Sequence, residues 1–124
     1  MRLKNVLIVV EDIERSKAFY QEFFDLHVIA DFGENVILTG GLVLQKRKVW
    51  EDAIGCEVVK GGNAQELYFE GYEFDKFMDK LSASKFEIEY IPCSNKDENK
   101  RVSERRIVRF YDPDRHIIEV AEHV

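Results

Sequence analysis

Cysteine and histidine are scarce in this chain, long apolar runs are missing, and basic charge is outweighed. The two cysteines, Cys56 and Cys93, have no CxxC spacing and no histidine cluster beside them, which argues against a disulfide framework or a zinc knuckle. They read as free thiols in a reducing, cytoplasmic compartment. The apolar run near the start, Val6 to Val10, is five residues long. That is too short for a secretory core or a membrane-spanning helix. Lysine and arginine number 18 against 24 acidic residues, so the net charge is 18 − 24 = −6. A deficit of that sign argues against nucleic acid and anionic membrane as partners, and favours neutral or cationic small molecules. With 124 residues the chain forms one domain able to bury roughly two-thirds of its unfolded surface, without a disulfide or structural metal.

What is present is best read from the end. In YDPDRHIIEVAE, from Tyr111 to Glu122, Asp112-Pro113-Asp114 makes a turn and a strand follows. Alternation places Ile117, Glu119 and Ala121 on one face and His116, Ile118 and Val120 on the other. Glu119 is then either solvated on an open face or held by a partner, because an isolated buried carboxylate costs several kcal/mol.

Residues 3–10 read as a strand, followed by a helix capped by Asp12 with Ile13, Ser16, Phe19, Tyr20, Phe23 and Phe24 at helical spacing. Short strands are expected near 27–32, 35–39 and 42–48, with turns at Gly33-Glu34-Asn35 and Gly40-Gly41. The stretch 49–65 breaks every period and reads as a linker. A strand beginning at Glu66, a helix with Phe74, Phe77, Met78 and Leu81 on one stripe, and strands at 86–91, 105–110 and 116–121 then repeat the order. The fold class is α+β: repeat units 3–48 and 66–122, each β-α-β-β-β, with helices on the outer face of curved mixed sheets. Aligning the halves sets Asn5 against Glu66 and Gln45 against Glu119. The segment Ser94–Glu104 (SNKDENKRVSE) is too charged for a core and reads as a mobile loop.

The ending YDPDRHIIEV and the early VVEDIERSKAFY, with two β-α-β-β-β units between and around them, resemble the glyoxalase / bleomycin-resistance / dioxygenase family, the vicinal oxygen chelate superfamily. The resemblance implies a cup formed by paired units, within one chain or across a homodimer, that holds a divalent metal or a small ligand. It implies metal positions at Asn5, Gln45, Glu66 and Glu119. Members that use a metal usually carry histidine or glutamate there, and this quartet holds no histidine. The sequence also departs from the family at Arg115, where glycine is usual, and in lacking a glycine- or lysine-rich anion loop.

Four side-chain oxygens, two of them charged, suit Mg²⁺ or Mn²⁺ better than Zn²⁺. The competing reading is a polar floor with no cofactor that binds a small molecule directly, with Glu66 or Glu119 receiving a cationic group. In the metal reading the protein is a lyase, isomerase or dioxygenase acting on vicinal oxygens, with Glu66 or Glu119 as the catalytic proton carrier. Tyr68 and Glu70 share the face of Glu66 and are expected either to line the ligand site or to pack across strands. Trp50 reads as a lid or as a plug between the units. His27, His116 and His123 are poor catalytic candidates, and Arg105, Arg106 and Arg109 read as a solvated strand face.

Overall fold

The computed structural model describes residues 1–92 and 105–123. Cys93 and the predicted Ser94–Glu104 loop lie outside the described residues. The described chain is α+β and divides into two compact units, Met1–Gly61 and Gly62–Val124.

The first unit contains β1 (Val6–Val10), α1 (Ile13–Phe24), β2 (Val28–Asp31), β3 (Asn35–Leu38), β4 (Leu42–Lys46) and α2 (Arg47–Ile54). Its sheet has the order β1-β4-β3-β2, with β1 parallel to β4 and the remaining pairs antiparallel. Helix α1 starts where the sequence places it. Asp12 accepts a hydrogen bond from the Arg15 amide at 3.1 Å and so satisfies a helical N–H that would otherwise lack a partner. The helix buries Ile13, Ser16, Phe19, Tyr20 and Phe23, the predicted stripe. Phe19 meets Tyr20 and Phe23 edge-on at 5.1 and 5.0 Å. Each of these rings contributes roughly 1.5–3 kcal/mol by burial. The exposed Lys17–Glu14 pair on the far face is worth only about 0.3–0.5 kcal/mol, so the rings decide the docking.

The expected linker begins instead as helix α2. No residue of α2 is fully buried; of its short apolar stripe, Val49, Trp50, Ala53 and Ile54, only Val49 and Trp50 are half-buried. Ion pairs hold it: Arg47 Nε meets Glu11 at 2.7 Å and Arg47 Nη1 meets Glu51 one turn on at 2.6 Å. Gly55, at φ 75°, closes the helix by donating its amide to the Glu51 carbonyl.

The second unit contains β5 (Leu67–Gly71), α3 (Phe74–Ala83), β6 (Ile107–Tyr111) and β7 (Ile117–Glu122) in the sheet order β5-β7-β6. Strand β5 runs parallel to β7, and β6 is antiparallel to it. Helix α3 buries Phe74 and Leu81, with Phe77 and Met78 half-buried beside them. The strand expected at 86–91 shrinks to one bridge, Tyr90 with Phe110. Upstream of it, the Phe86 amide donates to Ser84 Oγ at 3.1 Å, a local bond that competes with ladder pairing.

The β6–β7 turn keeps the left-handed residue that the sequence puts in question. Arg115 has φ 67°, which costs a non-glycine residue about 1 kcal/mol. Its guanidinium stacks 4.1 Å above the Tyr111 ring and reaches Glu89 at 2.6 Å, contacts that glycine could not make.

Candidate functional site

The β5-β7-β6 sheet has two unlike faces. Ile118, Val120 and Phe110 are buried on one, along with Phe74 and Leu81 of α3. The other face collects polar side chains because strand alternation and ladder register agree. Tyr68 and Arg109 lie on either side of Glu119 in the register, while Glu70 on β5 and Glu66 just before it flank Tyr68 at spacing two.

Glu119 settles the question posed by its sequence. It is only 9% exposed, and the Arg109 Nε donates to its Oε1 at 2.7 Å. Arg109 is itself half-buried, so this pair is screened less than an exposed one. Glu66 stands just before β5, one ladder diagonal from Glu119. Desolvation raises its carboxyl above the usual range. The nearby Glu119 carboxylate pushes the same way, against the pull of Arg109.

A second polar group shares this face. The Tyr68 hydroxyl donates to Glu70 Oε2 at 2.7 Å, and Arg105 Nη1 donates to both the Tyr68 oxygen at 2.8 Å and Glu70 at 3.0 Å. The bond to Glu70 raises the Tyr68 phenol, and the same bond leads the lowering of Glu70, assisted by His123. His123 Nδ1 lies 3.5 Å from Glu70, and its ring sits 4.4 Å from that of Tyr72.

In the first unit Gln45 is buried, and its Oε1 accepts from the Asn35 amide directly across the β3–β4 ladder. Asn5 is half-buried, just before β1. Beside it Gly41 is needed for space: a Cβ there, at φ 85°, would meet the Lys4 carbonyl oxygen at 2.7 Å and Asn5 Oδ1 at 3.3 Å. Trp50 is half-buried on α2.

The two units differ in how their paired positions meet. Gln45 is in register with Val9, four residues beyond Asn5, whereas Glu119 is in register with Tyr68, two beyond Glu66. Along a strand those offsets are about 13 and 7 Å. Only Glu66 and Glu119 are therefore diagonal neighbours within reach of each other.

The donors within each unit do not fit a metal centre. In the first unit the Gln45 oxygen is committed to Asn35 and Asn5 is distant along the ladder. In the second, Glu119 is committed to a guanidinium. Among the described residues no three His, Cys, Asp or Glu side chains gather in a way that could hold a metal ion.

The solvated reading of the arginine run holds for Arg106, which is exposed, and is corrected for Arg105 and Arg109, which are half-buried. Arg105 and Arg109 make ion pairs on the polar face, and Arg106 pairs with Asp75 and Glu122 on the helix side. Arg109 is the residue that sequence reasoning missed. The signal was present: Arg109 and Glu119 stand five residues either side of Asp114, so a hairpin turning there sets them opposite each other.

The family model described as a glyoxalase-like domain matches residues 3–124. A protein of unknown function from Agrobacterium tumefaciens str. C58 is similar in structure, with 31% identity and TM-score 0.79 over 100% of this chain and 95% of that one. A glyoxalase-related enzyme from Fulvimarina pelagi shares the fold at 19% identity and TM-score 0.77, covering 98% of this chain and 88% of its own. So does the fosfomycin resistance protein FosX from Listeria monocytogenes, complexed with Mn(II) and sulfate, at 18% identity and TM-score 0.69 over 99% and 93% of the two chains. No protein with a curated function matches the sequence. Among the described residues no helix is long and apolar enough to cross a membrane.

Proposed function

The chain belongs to the glyoxalase-like domain family, and we propose that it binds a small molecule directly, without a divalent cofactor, in the manner of a sequestering protein. The polar face of the second unit receives the ligand. One observation carries this reading: Glu119, at the family's metal position, is buried against Arg109 of its own sheet. What remains exposed on that face is Glu66, Tyr68 and Glu70, with Arg105 beside them, a set that can orient a ligand bearing a cationic or hydroxyl group. In the first unit, taken by itself, Asn5, Gln45 and Trp50 are proposed as ligand-binding residues.

The experiment is a thermal-shift screen of small cationic and polyhydroxylated compounds against the wild-type chain and Tyr68→Ala. A compound that raises the melting temperature of the wild type and loses its effect in the variant supports the reading. Hits that stabilise both proteins equally place the ligand elsewhere.

A second reading, a metal-dependent lyase, isomerase or dioxygenase, is favoured by the Mn(II) complex of the Listeria neighbour. About one tightly held metal per purified chain would make it the better one. We also propose a homodimer. Val28 and Ile29 on edge strand β2 and Phe32 just beyond it are exposed, 63% for Ile29 and 72% for Phe32, and apolar sheet edges invite pairing. Exposed, unbridged Cys56 accords with a reducing, cytoplasmic setting.

A further inference from the structure

We propose that the Arg109 guanidinium is the resident cation of the second unit, occupying at Glu119 the place a divalent ion would take, so that one cross-strand position decides between a metal-free and a metal-binding face. The inference deepens the metal-free reading above and rests on it for the choice of face.

Three observations carry it. Arg109 is directly opposite Glu119 in the antiparallel register, with Nε 2.7 Å from Oε1, so its charge already occupies one of the sites at which that carboxylate could hold a cation. Both side chains are largely withdrawn from water, 27% and 12% exposed, so water screens little of the repulsion a second cation would meet. The matching ladder position of the first unit supplies an internal comparison. There Asn35 faces Gln45, and both are neutral amides. In each half the cross-strand partner matches the last-strand side chain in kind, amide with amide and cation with anion.

With Arg109 removed, Glu119 and its diagonal neighbour Glu66 become two carboxylates with no fixed cation between them. That is an arrangement a hard divalent ion relieves, with water filling its remaining coordination. Lysine at 109 keeps the charge and so keeps the ion out.

The test is a Mn²⁺ titration of chelator-treated protein, read by the electron paramagnetic resonance signal of free aquo Mn²⁺. The wild type is expected to leave that signal unchanged up to roughly millimolar Mn²⁺. Arg109→Met should bind one Mn²⁺ per chain at least about tenfold more tightly than wild type. Arg109→Lys should behave as wild type, and Arg109→Met/Glu119→Gln should lose the gain. Arg109→Gln is measured alongside, so that poor folding of the methionine variant leaves a neutral replacement to titrate. Stoichiometric Mn²⁺ binding by the wild type overturns the proposal. So does a neutral variant with wild-type circular dichroism that gains no Mn²⁺ affinity. No organic ligand takes part, so failure here is separable from failure of the thermal-shift screen.

Discussion

Asp112 and His116, four residues apart, close the β6–β7 turn through a 2.7 Å contact between Oδ2 and Nδ1. The other Asp112 oxygen accepts the amides of Asp114 at 2.9 Å and His116 at 2.8 Å, so this fully buried carboxylate has a donor on each oxygen. Burial alone would lower the histidine, but the Asp112 hydrogen bond and the Asp112 and Asp114 charges outweigh it, and His116 is raised above 6.5. A histidine whose folded pKa exceeds its unfolded one stabilises the fold most when protonated. That contribution is complete below pH 6.5 and fades as pH rises through the folded value. Proton NMR is expected to show His116 titrating above 6.5, and the stability difference between wild type and His116→Gln to shrink from pH 6 towards pH 8. A His116 midpoint below 6.5 would remove the effect.

Glu119→Gln is expected to destabilise the chain. Mutual repulsion of Glu66 and Glu119, taken alone, predicts the opposite, since the amide would relieve it. With Arg109 held at 2.7 Å, the substitution instead strips a half-buried guanidinium of its counter-charge. The loss should be about 1–3 kcal/mol in urea unfolding at neutral pH. An unchanged or higher midpoint would restore the repulsion argument.

At the turn, Arg115→Ala is expected to cost more than Arg115→Gly. Alanine keeps the strain of φ 67° and loses the Tyr111 and Glu89 contacts, whereas glycine loses those contacts but sheds the strain. The two variants should differ by about 1 kcal/mol in chemical denaturation. Equal stabilities would show that the turn relaxes.

Gly41→Ala and Gly33→Ala separate crowding from backbone strain. Both glycines have positive φ, 85° and 86°, but only at Gly41 does a Cβ strike backbone, the Lys4 oxygen at 2.7 Å. Gly33→Ala should cost about 1 kcal/mol and Gly41→Ala clearly more, about 2–4 kcal/mol in the same assay. Equal losses would mean that the strand start at Asn5 moves aside.

The parts of the fold legible in the sequence were those in which one local rule sufficed. The Asp12 cap and the Phe19-Tyr20-Phe23 stripe each announce α1, and alternation in IIEVA places Glu119 on its face. Helix α2 was passed over although Val49, Trp50, Ala53 and Ile54 recur at helical spacing, because the run is only eight residues long and Glu11, which pairs with Arg47, lies 36 residues earlier. The strand at 86–91 was over-read because alternation says nothing about how far a neighbour's edge extends, and here it reaches a single bridge. On the polar face of the second unit, alternation was enough to group Tyr68, Glu70 and Glu119, with Glu66 just before the strand. Arg109 was passed over because an arginine on a strand reads as solvated until the opposing residue is counted out from the turn.

The unequal ladder offsets of the two halves behave like the two scales of a vernier. A strand can slide against its parallel neighbour and keep every side chain on its own face only in whole pleats, steps of two residues and about 7 Å. Asn5 and Glu66 differ by one such step in their distance from the last-strand position. A graft of β1 in place of β5 would therefore preserve the inside and outside of the sheet while carrying its leading residue one notch out of range of Glu119. The reach of the site can be reset in this fold by discrete slips that leave the hydrophobic pattern untouched.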